Sequence, residues 1–311
     1  VNVDVYSVVN YIAELGAKIP LVVQEFNGKE WNAVKPNHPL QTLLDKPNPY
    51  QSGVEFRLQI YSFYLTTGNG LAYSPRIEAG VNAGQATEMW VMPSDKTSIV
   101  SGGWMNPIKG YILNLSAGYE NEMKFDDVLH MRTASLNYGN GQEFWGQSPL
   151  TAGLLALERS NANYSAAVNT FKNQGLKGIL MQKEQEFSNQ WDSSQQSTAQ
   201  EQFDQNYNNI RKFGGTMMTN QQYEHLNLGL SPVDMSLILD KQATLRDFCN
   251  IYKISSILFN DNAASSYNNI LEVKKSAYND AILPIVERYV EELNTWLAPS
   301  YGENIRVVSN T

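Results

Sequence analysis

The stretch SPLTAGLLALERSNANYSAAVNTFKNQG, Ser148 to Gly175, decides how this chain is organised. Ser148 is a favoured helix N-cap, and Pro149 takes the first helical position, where a missing N–H costs nothing. Leu150, Leu154, Leu157, Asn161, Tyr164, Val168 and Phe171 then recur four and three apart, a coiled-coil-like seam with one polar member. The spacing predicts a helix of about seven turns. Its other side carries Ala152, Ala156, Ala162, Ala166 and Ala167, small enough to let neighbouring helices approach closely. Ser231 and Pro232 repeat the start, and Met235, Ile238, Gln242, Leu245, Cys249 and Tyr252 make a second seam, again polar in its middle. Two long helices therefore flank the insert 175–230, in which LKGILM and GTMMTNQQYEHLNL read as strands around a polar helix, Ser197 to Phe213. The seams suit either the two-helix core of a monomer or faces shared between neighbouring molecules.

Upstream, Val5, Val8, Val9, Ile12 and Leu15 have helical spacing, Gly16 is expected to end that helix, and IPLVV follows as a strand. Ser52 with Glu55 forms a capping box ahead of Phe56, Ile60, Phe63 and Tyr64, which predicts a helix from Ser52 to Thr66. After Gly68-Asn69-Gly70 come LAYSPRI, TEMWVM, GYILNL and VLHMR, short segments separated by Gly, Pro and Asn that read as one small mixed sheet. Downstream, NDNAASSYNN has no periodicity and reads as a loop. A last helix follows through Leu271, Tyr278, Ile282, Ile285, Tyr289, Leu293 and Trp296, with a kink or restart near Leu283 because Pro284 lies inside it.

Composition excludes several functions. The chain has 311 residues, 42% hydrophobic and 17% charged, enough to bury a core, and opens without Met as part of a longer product would. With 23 Lys plus Arg against 31 Asp plus Glu, its net charge of -8 has the wrong sign for gripping phosphate backbones. One cysteine and three scattered histidines leave no paired-cysteine zinc site and no HxxxH spacing, so neither metal nor cofactor is expected. No apolar run reaches membrane-spanning length, and no membrane partner is expected. GxSxG, GxxxxGK[ST], GxGxxG and HExxH are absent; Gly146-Gln147-Ser148 resembles half a nucleophile elbow but continues into Pro149. Asp126-Asp127, Cys249 and the Glu287, Arg288, Glu291, Glu292 group read as a diverging carboxylate pair, a core thiol and a solvated helix face. Residues alone thus indicate an α+β protein that is not an enzyme.

The order of motifs carries a resemblance. HPLQTLLDKPNPYQSGVEFRLQIYSFYLTTGNGLAY, punctuated by His-Pro, Pro-Asn-Pro and Thr-Gly-Asn, resembles a signature of the siphophage-type portal proteins of tailed bacteriophages. It continues through VLHMRTASL, GQSPLTAGLLALERSNANYSAAVNTFKNQGLKGIL, LSPVDMSLILDKQATLRDFCNIYKISSILFN and SSYNNILEVKKSAYNDAILPIVERYVEELNTWL, in the family's order. Ser255-Ser256 stands where that family often has a prolyl-prolyl turn.

The resemblance implies a portal fold: a mixed α/β wing at 1–147, stem helices at 148–174 and 231–253, a small α/β clip at 175–230, and a tunnel loop at 254–268. A long kinked helix at 269–298 then returns to the wing, and 299–311 begins a wing or crown segment. It implies a ring, typically of twelve copies, at one capsid vertex of the virion, assembled in the host cytoplasm. Double-stranded DNA would pass through it nonspecifically, packaged by the large terminase subunit and later ejected, with a head-tail adaptor and the major capsid protein as further partners. Leu154, Asn161, Ala162, Ala166, Gln242 and Leu245 would serve stem packing. Glu184, Glu186, Gln190, Phe203 and Tyr207 would meet the terminase or adaptor. Asn260, Asp261, Asn262, Ser265, Ser266, Tyr267, Asn268 and Asn269 would face DNA, with Asp261 as a repulsive charge; a surface turn has the same composition. Rival readings are a phage-encoded DNA-processing enzyme, which lacks a catalytic cluster here, and a carbohydrate-binding virion surface protein, for which the tryptophans show no repeat.

Overall fold

The computed structural model describes residues 2–103, 105–116, 119–137, 142–172, 178–182, 197, 201, 223–227, 237–261 and 267–310. Helix α1 (Val3–Lys18) is capped by the Asn2 side chain and buries Val5, Val8, Val9, Ile12 and Ala13. It runs through Gly16 instead of ending there. Gly16 is buried, and a Cβ on it would meet the Tyr61 ring at 3.4 Å, so its role is close packing. The stop comes from Pro20, which disfavours the helical region for Ile19. Strand β1 (Leu21–Phe26), β2 (Trp31–Ala33), α2 (Pro39–Asp45) and α3 (Gly53–Thr67) follow. Helix α2 lies in a stretch that also holds Pro36, Pro47 and Pro49. His38 caps it by accepting from Leu40 N–H at 3.3 Å, and Pro39 occupies its first turn. At α3 both halves of the Ser52–Glu55 capping box are present.

Strands β3 (Asn69–Tyr73), β4 (Trp90–Met92), β5 (Thr97–Val100), β6 (Gly110–Ser116), β7 (Tyr119–Lys124) and β8 (Val128–Arg132) form two three-stranded sheets, ordered β4-β3-β8 and β5-β6-β7. Every pairing is antiparallel, which corrects the expected single mixed sheet. Within β5-β6-β7 each strand pairs with its neighbour in sequence, and antiparallel pairing does not require the helix-length crossover that a parallel pair needs.

The long helix from Ser148 is interrupted after one turn. Helix α4 (Pro149–Ala152) stops at Gly153, and α5 (Leu154–Lys172) restarts beyond it. A Cβ at Gly153 would meet Ile251 Cδ1 at 2.5 Å, so glycine allows the backbone to approach that side chain. Strands β9 (Gly178–Gln182) and β10 (Tyr223–Asn227) pair antiparallel, and α6 spans Leu237–Ile251. The kink at Pro284 takes the form of a π turn, Tyr278–Ile282, between α7 (Tyr267–Ala277) and α8 (Leu283–Trp296). Proline has no N–H to donate and its ring crowds the preceding turn, and the wider turn accommodates both constraints. Strand β11 (Ile305–Ser309) then pairs with β1, giving the order β11-β1-β2.

The chain forms two compact units, 1–157 with 244–311, and 158–243. The first is built on α1, α3 and α8, with Tyr61 and Tyr289 fully buried in an edge-to-face pair at 5.6 Å. Buried Arg57 donates through Nε and Nη2 to the Ala17 carbonyl, satisfying an orphan acceptor at the C-terminus of α1.

The root of the first long helix is fixed by the Thr67-Gly68-Asn69 turn. The Asn69 amide donates to the carbonyls of Thr67 and Gly146, at 3.0 and 2.9 Å, while its Oδ1 accepts from Gly146 N–H at 2.7 Å. With the amide so oriented, His130 Nε2, 3.0 Å from the same oxygen, must be the protonated ring nitrogen; Nδ1 then accepts from the Tyr111 hydroxyl at 3.0 Å. Thr133 Oγ1 donates to the Gln147 carbonyl and Ser148 Oγ to the Thr66 carbonyl. A Cβ at Gly146 would lie 2.1 Å from the Gly68 carbonyl oxygen, so side chains are sterically excluded there.

Burial, with a smaller contribution from Arg132, pushes the His130 pKa down to about 3. The folded chain therefore keeps this ring neutral while the unfolded chain protonates near about 6.5. Its stabilisation is complete above that pH and is lost as pH falls toward about 3. By about pH 4.5 the loss is about 2–3 kcal/mol relative to about pH 7. His130→Gln should therefore have a lower urea midpoint than wild type at neutral pH but lose less on acidification. Asn69→Leu, which strands Gly146 and His130, should cost on the order of 3 kcal/mol at neutral pH in the same measurement.

Candidate functional site

Within the second unit, α5 and α6 are joined by polar contacts. The Asp240 carboxylate pairs with Arg159 and accepts from Asn163, and Lys241 Nζ sits 5.2 Å from the centre of the Tyr164 ring. Sequence reasoning from apolar seams missed these four polar residues. The signal present was Arg159 and Asn163 four apart on one helix face.

The seam itself is divided. Gly153 and Ser160 are buried and Leu157 half-buried, whereas Leu154, Asn161 and Ala162 are exposed on the single chain. The inward stripe is thus offset from the one expected. Ala166, Gln242 and Leu245 are half-buried, and Leu155 is 80% exposed with Val168 and Leu239 also open.

The connection between α6 and α7 begins with a Schellman end. Ile254 N–H donates to the Cys249 carbonyl and Lys253 N–H to that of Asn250, with Lys253 at φ 56 in the left-handed position glycine usually fills. A short 3-10 turn, Ser256–Phe259, is capped by Ser255 and ended by Asn260 at φ 63. That left-handed residue turns the chain so that Asp261 comes back onto α6. Asp261 is 4% exposed. Its Oδ2 accepts from Arg246 Nε at 2.6 Å and from Ser256 Oγ at 2.8 Å, and its Oδ1 accepts from Arg246 Nη2 at 2.9 Å.

This geometry corrects the reading of Asp261 as an exposed, repelling charge. A carboxylate so deeply buried is stable only when paired and hydrogen-bonded, and the chain folds back to provide both. Arg246 was not singled out from sequence, because its fifteen-residue separation from Asp261 carries no periodic signal, and Ser256 was noted as a departure from a family turn and not as a partner of Asp261. Asn260 is exposed. Tyr267, Asn268 and Asn269 belong to the first turn of α7. Asn262, Ser265 and Ser266 lie outside the described residues, as do Glu184, Glu186, Gln190, Phe203 and Tyr207. Of the polar helix expected from Ser197 to Phe213, Ser197 and Glu201 are described and both are helical; the strands expected on either side are present as β9 and β10.

Ser148 and Cys249, side chains of a type that can act as nucleophiles, have structural surroundings. Ser148 is an N-cap, accepting from Leu150 N–H. Burial, aided by the carboxylates of Asp261 and Asp4, pushes the Cys249 thiol up to about 12, so it holds its proton at neutral pH. A cleft of about 640 Å³ is lined by Arg76, Tyr111, Asp126, His130, Glu292 and Trp296, among others. Arg76 spans it, donating to the carbonyls of Gly84, Asp126 and Trp296. Among the described residues no three His, Cys, Asp or Glu side chains cluster as metal ligands, and no helix is long and apolar enough to cross a membrane.

The chain is similar over nearly its whole length to known proteins. An uncharacterized protein of Rickettsia bellii (strain RML369-C) is 24% identical over 316 residues, covering 98% of this chain and 77% of the relative. The chain is also similar to one in the neck of a native gene transfer agent particle computed with C12 symmetry, at a TM-score of 0.69 and 22% identity, over 99% of this chain and 80% of that one. An HK97 family phage portal protein from Corynebacterium diphtheriae matches at a TM-score of 0.65 and 13% identity, over 99% of this chain and 92% of that one. The α+β architecture with its kinked C-terminal helix is that of a portal protein. The family model for phage portal protein matches residues 3–311, and the chain belongs to that family.

Proposed function

We propose that this chain is the subunit of a closed ring at one vertex of a virus-like particle, through whose axis double-stranded DNA is loaded by a terminase motor and later released. The observation that carries this reading is the phage portal protein family match over residues 3–311. The C12 symmetry applied to the similar gene transfer agent neck supports a ring of twelve. An acidic chain suits a channel, because a strongly basic wall would hold DNA through counterion release. In a ring of identical copies each contact is heterologous and closes by rotation, so exposed Leu154, Leu155 and Ala162 on α5 find partners on the next subunit. Asn161, Ala166, Gln242 and Leu245 would contribute to the same packing. Asn260, Asn262, Ser265, Ser266, Tyr267, Asn268 and Asn269 would face the channel, offering amides and hydroxyls that touch phosphates without holding them by charge. The insert between the stem helices would present Glu184, Glu186, Gln190, Phe203 and Tyr207 to the motor or the adaptor, and the wing would seat in the capsid.

Negative-stain microscopy of the purified protein should show rings with a central hole; monodisperse monomers at micromolar concentration would remove the proposal. The double variant A162L/A166L adds bulk where helices approach, and should lower ring yield through a penalty of about 1–3 kcal/mol per site. Unchanged yield would take those alanines out of the packing.

Rings bearing Glu184→Lys and Glu186→Lys should assemble normally yet bind the terminase poorly in a pull-down. Wild-type capture would exclude those carboxylates from the contact.

A further inference from the structure

We propose that Asp261 is an internal counterion for Arg246, holding the foot of α6 electrically neutral toward the DNA channel; the inference rests on the ring reading above. Arg246 is the cationic side of the pair and remains open to solvent, its side chain 45% exposed, while that of Asp261 is 4% exposed. The two meet side-on, Nε and Nη2 against the two carboxylate oxygens, which fixes the guanidinium plane as well as its charge. A third bond, from Ser256 Oγ, leaves the carboxylate held from two elements.

The backbone is arranged to achieve this. Lys253 and Asn260, non-glycine residues at φ 56 and 63, bracket the segment that brings Asp261 back to α6. Left-handed backbone is unfavourable for a lysine, so a compensating interaction is required to keep the segment folded back. The ion pair supplies it. Exposed Asp247 follows Arg246 in sequence, but successive helical residues do not face each other, so it does not substitute for Asp261.

The consequence is specific to a ring. Were Asp261 neutral, every subunit would carry an unpaired guanidinium at the same height, and a circle of such charges would bind the phosphate backbone in a salt-dependent way. With Asp261 in place the pair presents no net charge, and exposed Asn260 is the polar group next to it. Arg246 and Asp261 are therefore positioning residues that keep contact with DNA loose.

The test uses assembled rings of the full chain, wild type and the variants D261N and R246Q/D261N. Two readouts are needed: hydrogen exchange of the amides in 253–261, and fluorescence anisotropy with a mixed-sequence duplex of about 30 base pairs at about 50 and 200 mM salt. In D261N the amides should exchange about tenfold faster, and the duplex should bind about tenfold more tightly at the lower salt, with the gain lost at the higher. R246Q/D261N should exchange as fast as D261N but bind DNA as wild type does. Unchanged exchange in D261N would overturn the clasp. Wild-type DNA affinity in a D261N ring that does exchange faster, or tight binding retained in R246Q/D261N, would overturn the counterion role. If D261N fails to fold, D261S carries the same expectations, since both remove the charge. Absence of rings in the wild-type protein would instead count against the ring reading, and exchange would still judge the clasp.

Discussion

The Asn69 side chain and the two glycines beside it set the geometry on which the first unit depends. One buried amide accepts from Gly146 N–H and His130, and donates to the carbonyls of Thr67 and Gly146. Four groups from distant parts of the chain are thereby satisfied at one point, where water cannot serve them. The end of α3, strands β3 and β8, and the entry to α4 all meet there. Backbones approach so closely at Gly68 and Gly146 that no Cβ fits at either position. A buried polar network of this kind stabilises the fold only when complete, which makes the Thr-Gly-Asn punctuation a structural requirement and not a spacer.

The same logic governs the other punctuating residues. His38 caps α2, and Asn48 Nδ2 donates to the Met89 carbonyl and to Gln51, tying the proline-rich segment to the approach of β4. Residues that mark the portal signature are thus caps and loop ties of the first unit. They position the helix roots.

Charge is handled locally as well. The chain carries a net charge of -8, and two of its carboxylates are paired with arginine, Asp240 with Arg159 and Asp261 with Arg246. Each pair is made by residues far apart in sequence. For Asp261 burial raises the cost of an unpaired charge far above its value at a surface, and the pairing is accordingly bidentate with a hydroxyl added.

Reading the sequence alone identified the helices whose information is local: the apolar spacing of α1, the Ser52 capping box of α3, the Ser148-Pro149 start, and the break at Pro284. Caps, prolines and apolar spacing act over one or two turns, so they can be read without knowing what packs where. The order of motifs identified the family for the same reason, since each motif is a local solution to a backbone constraint. Tertiary structure alone decided that Gly16 packs and does not terminate, that Gly153 breaks a helix whose seam is otherwise continuous, and that the strands form two antiparallel sheets. It also turned Asp261 from a presumed surface charge into a buried partner of Arg246. In every such case the deciding neighbour is remote in sequence or reached through a left-handed turn, and an amino-acid pattern records which side chains are present but not which of them the fold brings into contact.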